Sequence, residues 1–170
     1  GTPSKWIFMR GTDAARVVFS GGSESMHFTD LQYVHLSNFT VRGQSGNGMN
    51  LDDGGTFESA AKKVVMENIV FRDMAATGNN DMLKLSGLDS FEIINCQFEN
   101  GSTGGSGIDM VGCHYGSIRQ CRFVQQGSNS IQAKGGSSNL HIEKNYFING
   151  GQRSLNLGCS TGLAFFRPPG

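Results

Sequence analysis

The sequence predicts an all-β solenoid in which short parallel strands stack coil upon coil. Three observations predict it. A segment of nine residues recurs along the chain at intervals near 25 residues. Each copy is followed by a second short segment in which apolar and polar residues alternate, the period of a strand with one buried face. Glycine, asparagine, serine and aspartate fill the gaps, as turns require.

The first full copy is Val34–Arg42, which aligns with Val64–Arg72 and Phe91–Glu99; weaker copies are Gly116–Phe123 and Leu140–Phe147. Their third positions, Leu36, Met66, Ile93, Ile118 and Ile142, are spaced by 30, 27, 25 and 24 residues. The second segments are Met49-Asn50-Leu51, Leu83-Lys84-Leu85, Ile108-Asp109-Met110, Ile131-Gln132-Ala133 and Leu155-Asn156-Leu157, with Met26-His27-Phe28 ahead of the first full copy. About six coils result. The only stretch with helical character is an insertion of one or two turns over Phe57–Lys63.

Stacking at about 4.8 Å per coil turns equivalent residues into columns. One predicted inward column is Val41, Phe71, Phe98, Phe123, Phe147; another is Phe39, Ile69, Cys96, Cys121, Asn145. Each buried phenylalanine contributes roughly 1.5–3 kcal/mol, so these residues read as core. Cys96 and Cys121 lie one coil apart with parallel Cβ vectors, which disfavours a disulfide. Cys113 and Cys159 lie two coils apart, too far to bridge. All four read as thiols, and no cysteine–histidine spacing suits zinc.

Composition narrows the function. The 170 residues fit one domain spanning 1–170. Lys+Arg and Asp+Glu balance at 14 each, which argues against a nucleic-acid protein held by bulk charge. No apolar run reaches the roughly 18 residues of a membrane span. Twelve phenylalanines and a low charged fraction, 16% against the usual ~25%, argue against disorder. The opening Gly1–Trp6 carries neither a basic start nor a long apolar core, so no signal peptide is legible.

The Ile93-Ile94-Asn95-Cys96-Gln97-Phe98 type of repeat resembles the right-handed parallel β-helix proteins of the pectate-lyase-like superfamily, from Trp6 to Gly158. The resemblance implies a right-handed solenoid, a secreted or cell-surface location and a polysaccharide ligand. It does not select a chemistry, because this scaffold carries lyases, hydrolases and non-catalytic adhesive or structural proteins alike.

The outward column of the second segments is His27, Asn50, Lys84, Asp109, Gln132, Asn156, every member able to hydrogen-bond. Beside it the preceding outward position, Ser25, Gly48, Met82, Gly107, Ser130, Ser154, is mostly small, and the following one is Thr29, Asp52, Ser86, Val111, Lys134, Gly158. Together they predict a shallow polar trough for a sugar chain, with His27, Asn50, Gln132, Arg153 and Asn156 as binding residues. A solvated face stabilised by cross-strand pairs is the bland alternative, with Lys84 and Asp109 as a surface ion pair.

Two chemistries suit such a face. Eliminating a uronic acid unit needs its carboxylate neutralised and a base for the C5 proton. Ser130–Gly135 is faintly similar to the stretch of chondroitinase-B-like lyases that holds their basic lysine, which makes Lys134 the counterpart, with Lys84 the alternative base and Asp109 and Asn50 orienting groups. Where that resemblance implies an acidic Ca²⁺ ligand, this chain has Asn129, and where it implies an arginine, Gly158. Glycoside hydrolysis needs two carboxylates about 5–9.5 Å apart, for which Asp52, Asp53 and Asp109 are the candidates. His114, in Gly112–Gly116, is a distant echo of polygalacturonase-like enzymes and otherwise reads as an exposed turn residue. Asp52 and Asp53, with Asn50, offer oxygen ligands for Ca²⁺, although an Asp-Asp-Gly-Gly run also suits a turn. A non-catalytic carbohydrate-binding, adhesive or structural module remains the second function class.

Neither end shows an amphipathic capping helix. Bare terminal coils predict a segment of a longer β-helix, or ends that pack against other copies.

Overall fold

A computed structural model describes residues 1–56, 58–158 and 161–168. Among these residues the chain winds through six coils of three strands. The first coil holds β1 (Ile7–Arg10), β2 (Val18–Ser20) and β3 (Met26–Thr29); the second β4 (Gln32–Ser37), β5 (Thr40–Arg42) and β6 (Met49–Asp52). The third holds β7 (Ala61–Glu67), β8 (Val70–Arg72) and β9 (Leu83–Ser86); the fourth β10 (Leu88–Ile94), β11 (Gln97–Glu99) and β12 (Ile108–Val111). The fifth holds β13 (Ser117–Arg119), β14 (Arg122–Val124) and β15 (Asn129–Lys134); the sixth β16 (His141–Glu143), β17 (Tyr146–Ile148) and β18 (Arg153–Leu157).

Corresponding strands of successive coils form three six-stranded sheets: β1-β4-β7-β10-β13-β16, β2-β5-β8-β11-β14-β17 and β3-β6-β9-β12-β15-β18. Pairing is parallel throughout the three sheets. A short 3-10 turn at Leu163–Phe165 is the helical element among the described residues. No helix there is long and apolar enough to cross a membrane.

The nine-residue repeat is not one strand but two. It breaks at Asn38, Asn68 and Asn95, which adopt the left-handed conformation at φ 61°, 55° and 51°. That conformation costs most residues about 1–2 kcal/mol and asparagine less, so the repeated asparagine is a corner. The amides also bond along the stack: Asn68 Nδ2 donates to Asn38 Oδ1 at 2.8 Å, and Asn95 Nδ2 to Asn68 Oδ1 at 3.5 Å. A second row of left-handed corners, Asp73, Asn100, Gln125 and Asn149, follows the second sheet.

Both inward columns form as predicted. Val41 pairs with Phe71, Phe71 with Phe98, Phe98 with Phe123 and Phe123 with Phe147. The four phenylalanine rings stack face to face in three successive pairs at 5.0, 4.8 and 5.2 Å, the spacing that strand separation imposes. Leu36, Met66, Ile93, Ile118 and Ile142 align in the first sheet. Cys96, Cys113 and Cys121 are buried free thiols, and burial pushes the Cys113 thiol up to about 12. Cys159 lies outside the described residues, as does Phe57.

The predicted helical insertion is not found. Ala61, Lys62 and Lys63 open strand β7, because Ala61 is fully buried opposite Leu88 and the register of Lys62 against Gln32 continues the first sheet. The demands of the neighbouring coils override a weak local helix preference.

Phe98 sits in the middle of the ring stack with no exposed surface. Phe98→Ala is expected to destabilise the protein by about 3–5 kcal/mol, and Asn95→Ala by about 1 kcal/mol through its corner; urea unfolding followed by circular dichroism measures both.

Candidate functional site

The outer face of the third sheet carries the predicted polar ladder in the predicted register. His27 pairs with Asn50, Asn50 with Lys84, Lys84 with Asp109, Asp109 with Gln132 and Gln132 with Asn156. The next outward column, Thr29, Asp52, Ser86, Val111 and Lys134, is likewise in register.

The four middle residues of the column of mostly small residues predicted beside the ladder are not outward, while Ser25 is half-buried and Ser154 exposed. Met82 and Ser130 are fully buried, and Gly48 and Gly107 are buried too. Gly48, Met82 and Gly107 lie in the bend that leads into their strands, and Ser130 is the second residue of β15. Their small size has a packing cause: a Cβ on Gly48 would stand 2.3 Å from the Met82 carbonyl oxygen. One residue earlier the chain presents Asn47, Asp81, Ser106, Asn129 and Arg153, a column that sequence alternation did not reveal because the bend breaks the period of two. Asn47 Oδ1 accepts from the Asp81 N–H at 2.8 Å, and Asp81 Oδ1 from the Ser106 N–H at 2.7 Å. Arg153 is exposed and pairs with Asn129, so it stands in this column rather than in the ladder.

At the centre of the face two lysines converge on one carboxylate. Lys134 Nζ lies 3.1 Å from Asp109 Oδ2, and Lys84 Nζ contacts the same oxygen. Lys84 Nζ is also 3.7 Å from Asp81 Oδ2. Asp109 is 1% exposed, so it holds the lysines rather than meeting a ligand. Burial, then the neighbouring Asp109 carboxylate, pushes the Asp81 carboxyl up to about 6, against the pull of Lys84. Gln132 is buried, its Oε1 accepting from Asn129 Nδ2 at 3.4 Å.

Toward the first coils, His27 Nε2 donates to Asp52 Oδ2 at 2.5 Å. That bond raises the His27 pKa. Burial alone would raise Asp52, yet the His27 bond and the Gly54 N–H hold it below the ordinary carboxylate value. Asp52 Oδ1 accepts from Gly54 N at 2.9 Å and Asp53 Oδ1 from Gly55 N at 3.0 Å, so both carboxylates close turns onto the N–H two residues on. Among the described residues no three acidic, histidine or cysteine side chains gather as a metal site.

Residues 161–168 fold back over this face as a strap. Arg167 anchors it: its guanidinium grips Asp89 at 2.9 and 2.5 Å and the Gly112 carbonyl at 2.7 Å, while its N–H donates to Gly135 O at 3.0 Å. His114 is part of the same anchor and not an exposed turn residue. It is 8% exposed, with Nδ1 3.2 Å from Asp89 Oδ1 and Nε2 2.9 Å from the Arg167 carbonyl oxygen. Between strap and sheet lies a cleft of about 480 Å³ with Lys84, Lys134, Asp52, Asp53, Val111 and Phe165 on its walls.

A family model described as a right handed beta helix region matches residues 21–167. The chain belongs to this β-helix family. Among curated proteins and among solved structures, nothing matches the chain. Membership fixes the right-handed sense of the coils, the sense that parallel crossovers adopt. In this β-helix the sequence-predicted residues separate into three groups. Lys84, Lys134, Asp52 and Asp53 line the cleft; Asp109 and Gln132 lie buried beneath it; His27, Asn50, Asn156 and Arg153 flank it along the face.

Arg167→Ala removes the strap's charged anchor. It is expected to cost about 1–3 kcal/mol and to make residues 161–168 cleave faster in limited proteolysis, read by mass spectrometry.

Proposed function

We propose that the cleft on the third sheet binds an acidic polysaccharide, with the Lys84 and Lys134 ammonium groups meeting its carboxylates. The observation that carries this reading is the pair of lysines fixed side by side on one buried aspartate, facing a cleft on a long polar face. Fixed charges lose little side-chain freedom on binding, which favours affinity. Val111 and Phe165 supply an apolar wall for a sugar ring, and His27, Asn50 and Asn156 continue the polar surface along the helix axis.

The resemblance to pectate-lyase-like proteins supports both the location and the ligand class, and with it a secreted or cell-surface setting. It also suggests elimination, with Lys134 taking the C5 proton of a uronic acid while the C4–O bond breaks and a C4=C5 double bond forms. Both lysines, however, are held on the Asp109 carboxylate, an arrangement that presents them side by side to an anion and aims neither one freely at a ring proton. Recognition without cleavage is therefore the reading that the geometry supports best.

A panel of uronic acid polymers, with and without Ca²⁺, tests this reading. Binding is expected by isothermal titration calorimetry, with no rise in the ultraviolet absorbance of an unsaturated product; such a rise would replace recognition by elimination. Lys134→Gln is expected to weaken binding about tenfold or more, and added salt to weaken the wild type.

The charge balance predicts a pH dependence. Asp81 carries its negative charge above about 6 and loses it below. The cleft therefore becomes more positive as pH falls through about 6, and affinity for an acidic polymer is expected to rise. Asp81→Asn removes the Asp81 part of that step and is expected to bind more tightly than the wild type at pH 7 and to gain less between pH 7 and pH 5, the charging of His27 remaining, measured by the same calorimetry.

A further inference from the structure

A second groove lies on another face. On the outer surface of the first sheet a depression of about 670 Å³ runs between two aromatic side chains, Trp6 and Tyr115. Its shape follows from the register. Trp6 precedes Ile7, which pairs with Val34, so Trp6 stands beside Tyr33. Tyr33, Lys63, Ser90, Tyr115 and Asn139 occupy one column, each in the left-handed conformation at φ 53–57°. Trp6 and Tyr33 meet edge to face at 5.7 Å and form one bank. Tyr115, 64% exposed, forms the other. Four coils, about 19 Å, separate Trp6 from Tyr115; of the column residues between them, Lys63 and Ser90 line the hollow, and Ser90 is small.

The floor is polar. Glu92, Ser117 and His141 stand in one outward row across three successive strands. Glu92 is paired with Arg119 at 2.8 Å, and Lys63 adds one cation on the wall; the other polar groups of the groove are hydrogen-bonding side chains. The surface is a sheet face, not an edge, so it presents no free backbone for an extended peptide to pair with. A tyrosine in the left-handed conformation is costly for its size. Asparagine, present in the same column at Asn139, meets the backbone demand more cheaply, so the backbone does not explain Tyr115.

We infer that this groove is a binding site for a neutral oligosaccharide, whose apolar ring faces stack on Trp6 and Tyr115 while its hydroxyls bond to Glu92, Ser117 and His141. Aromatic rings with a polar surround suit a ligand that is itself apolar on its faces and polar at its edges. The site is separate from the lysine cleft and independent of its assignment.

Trp6 is the only tryptophan of the chain, so its fluorescence reports on this groove alone. Cellohexaose, chitohexaose and maltohexaose are titrated against the intact protein. At least one is expected to shift or quench Trp6 emission saturably. Tyr115→Ala is expected to weaken that response about tenfold or more, while Lys134→Gln, on the other face, leaves it unchanged. Tyr115→Phe keeps the ring and is expected to retain binding, which separates loss of stacking from misfolding. No saturable change with any of the three sugars, or equal affinity in Tyr115→Ala, overturns the proposal.

Discussion

Register between coils is the constraint on which the rest of this structure depends. The strands are three to seven residues long, and none holds a shape alone, since short strands are stable only as part of a sheet. What fixes them is the coil on either side. A slip of one residue would turn Phe98 to solvent and bring Gln97 and Glu99 into the core, so the aromatic stack and the hydrogen-bond ladders specify the same alignment. The left-handed corners make that alignment possible by turning the chain at the same place in successive coils.

The same constraint builds the candidate site. Lys84 and Asp109 are 25 residues apart in sequence and neighbours in the sheet. Lys134 comes from the following coil and reaches the same carboxylate. An aspartate buried to this degree persists only with cations against it, and two neighbouring coils each supply one. The strap works by a different principle: one arginine joins Asp89 of β10 to the turn that follows β12 at Gly112, so the C-terminal segment depends on the stacking beneath it.

Much of this was legible in the sequence. The columns Val41 to Phe147 and His27 to Asn156 could be read from spacing alone, because a solenoid converts sequence period directly into contact. Three things could not. The bend before each third-sheet strand breaks alternation, so Met82 and Ser130 read as outward and Asp81 and Asn129 stayed out of the ladder. Ala61–Lys63 looked helical because local preference, not the neighbouring strand, dominated a short window. The strap and the burial of His114 rest on Arg167 contacting Asp89 and Gly112, residues 78 and 55 positions away, and no repeat announces such a contact. The Asp-Asp-Gly-Gly turn, by contrast, followed from residue type, since aspartate readily accepts the N–H two residues on.

The asparagine corners carry one more consequence. Because the side-chain amides of Asn38, Asn68 and Asn95 bond to one another along the row, the second, third and fourth coils meet at this corner through like junctions. Copying or deleting one of these turns leaves such a junction in place, whereas losing a single strand residue offsets the register of its strand. Such a protein can change the length of its faces in units of one rung, a variable that gene duplication can set.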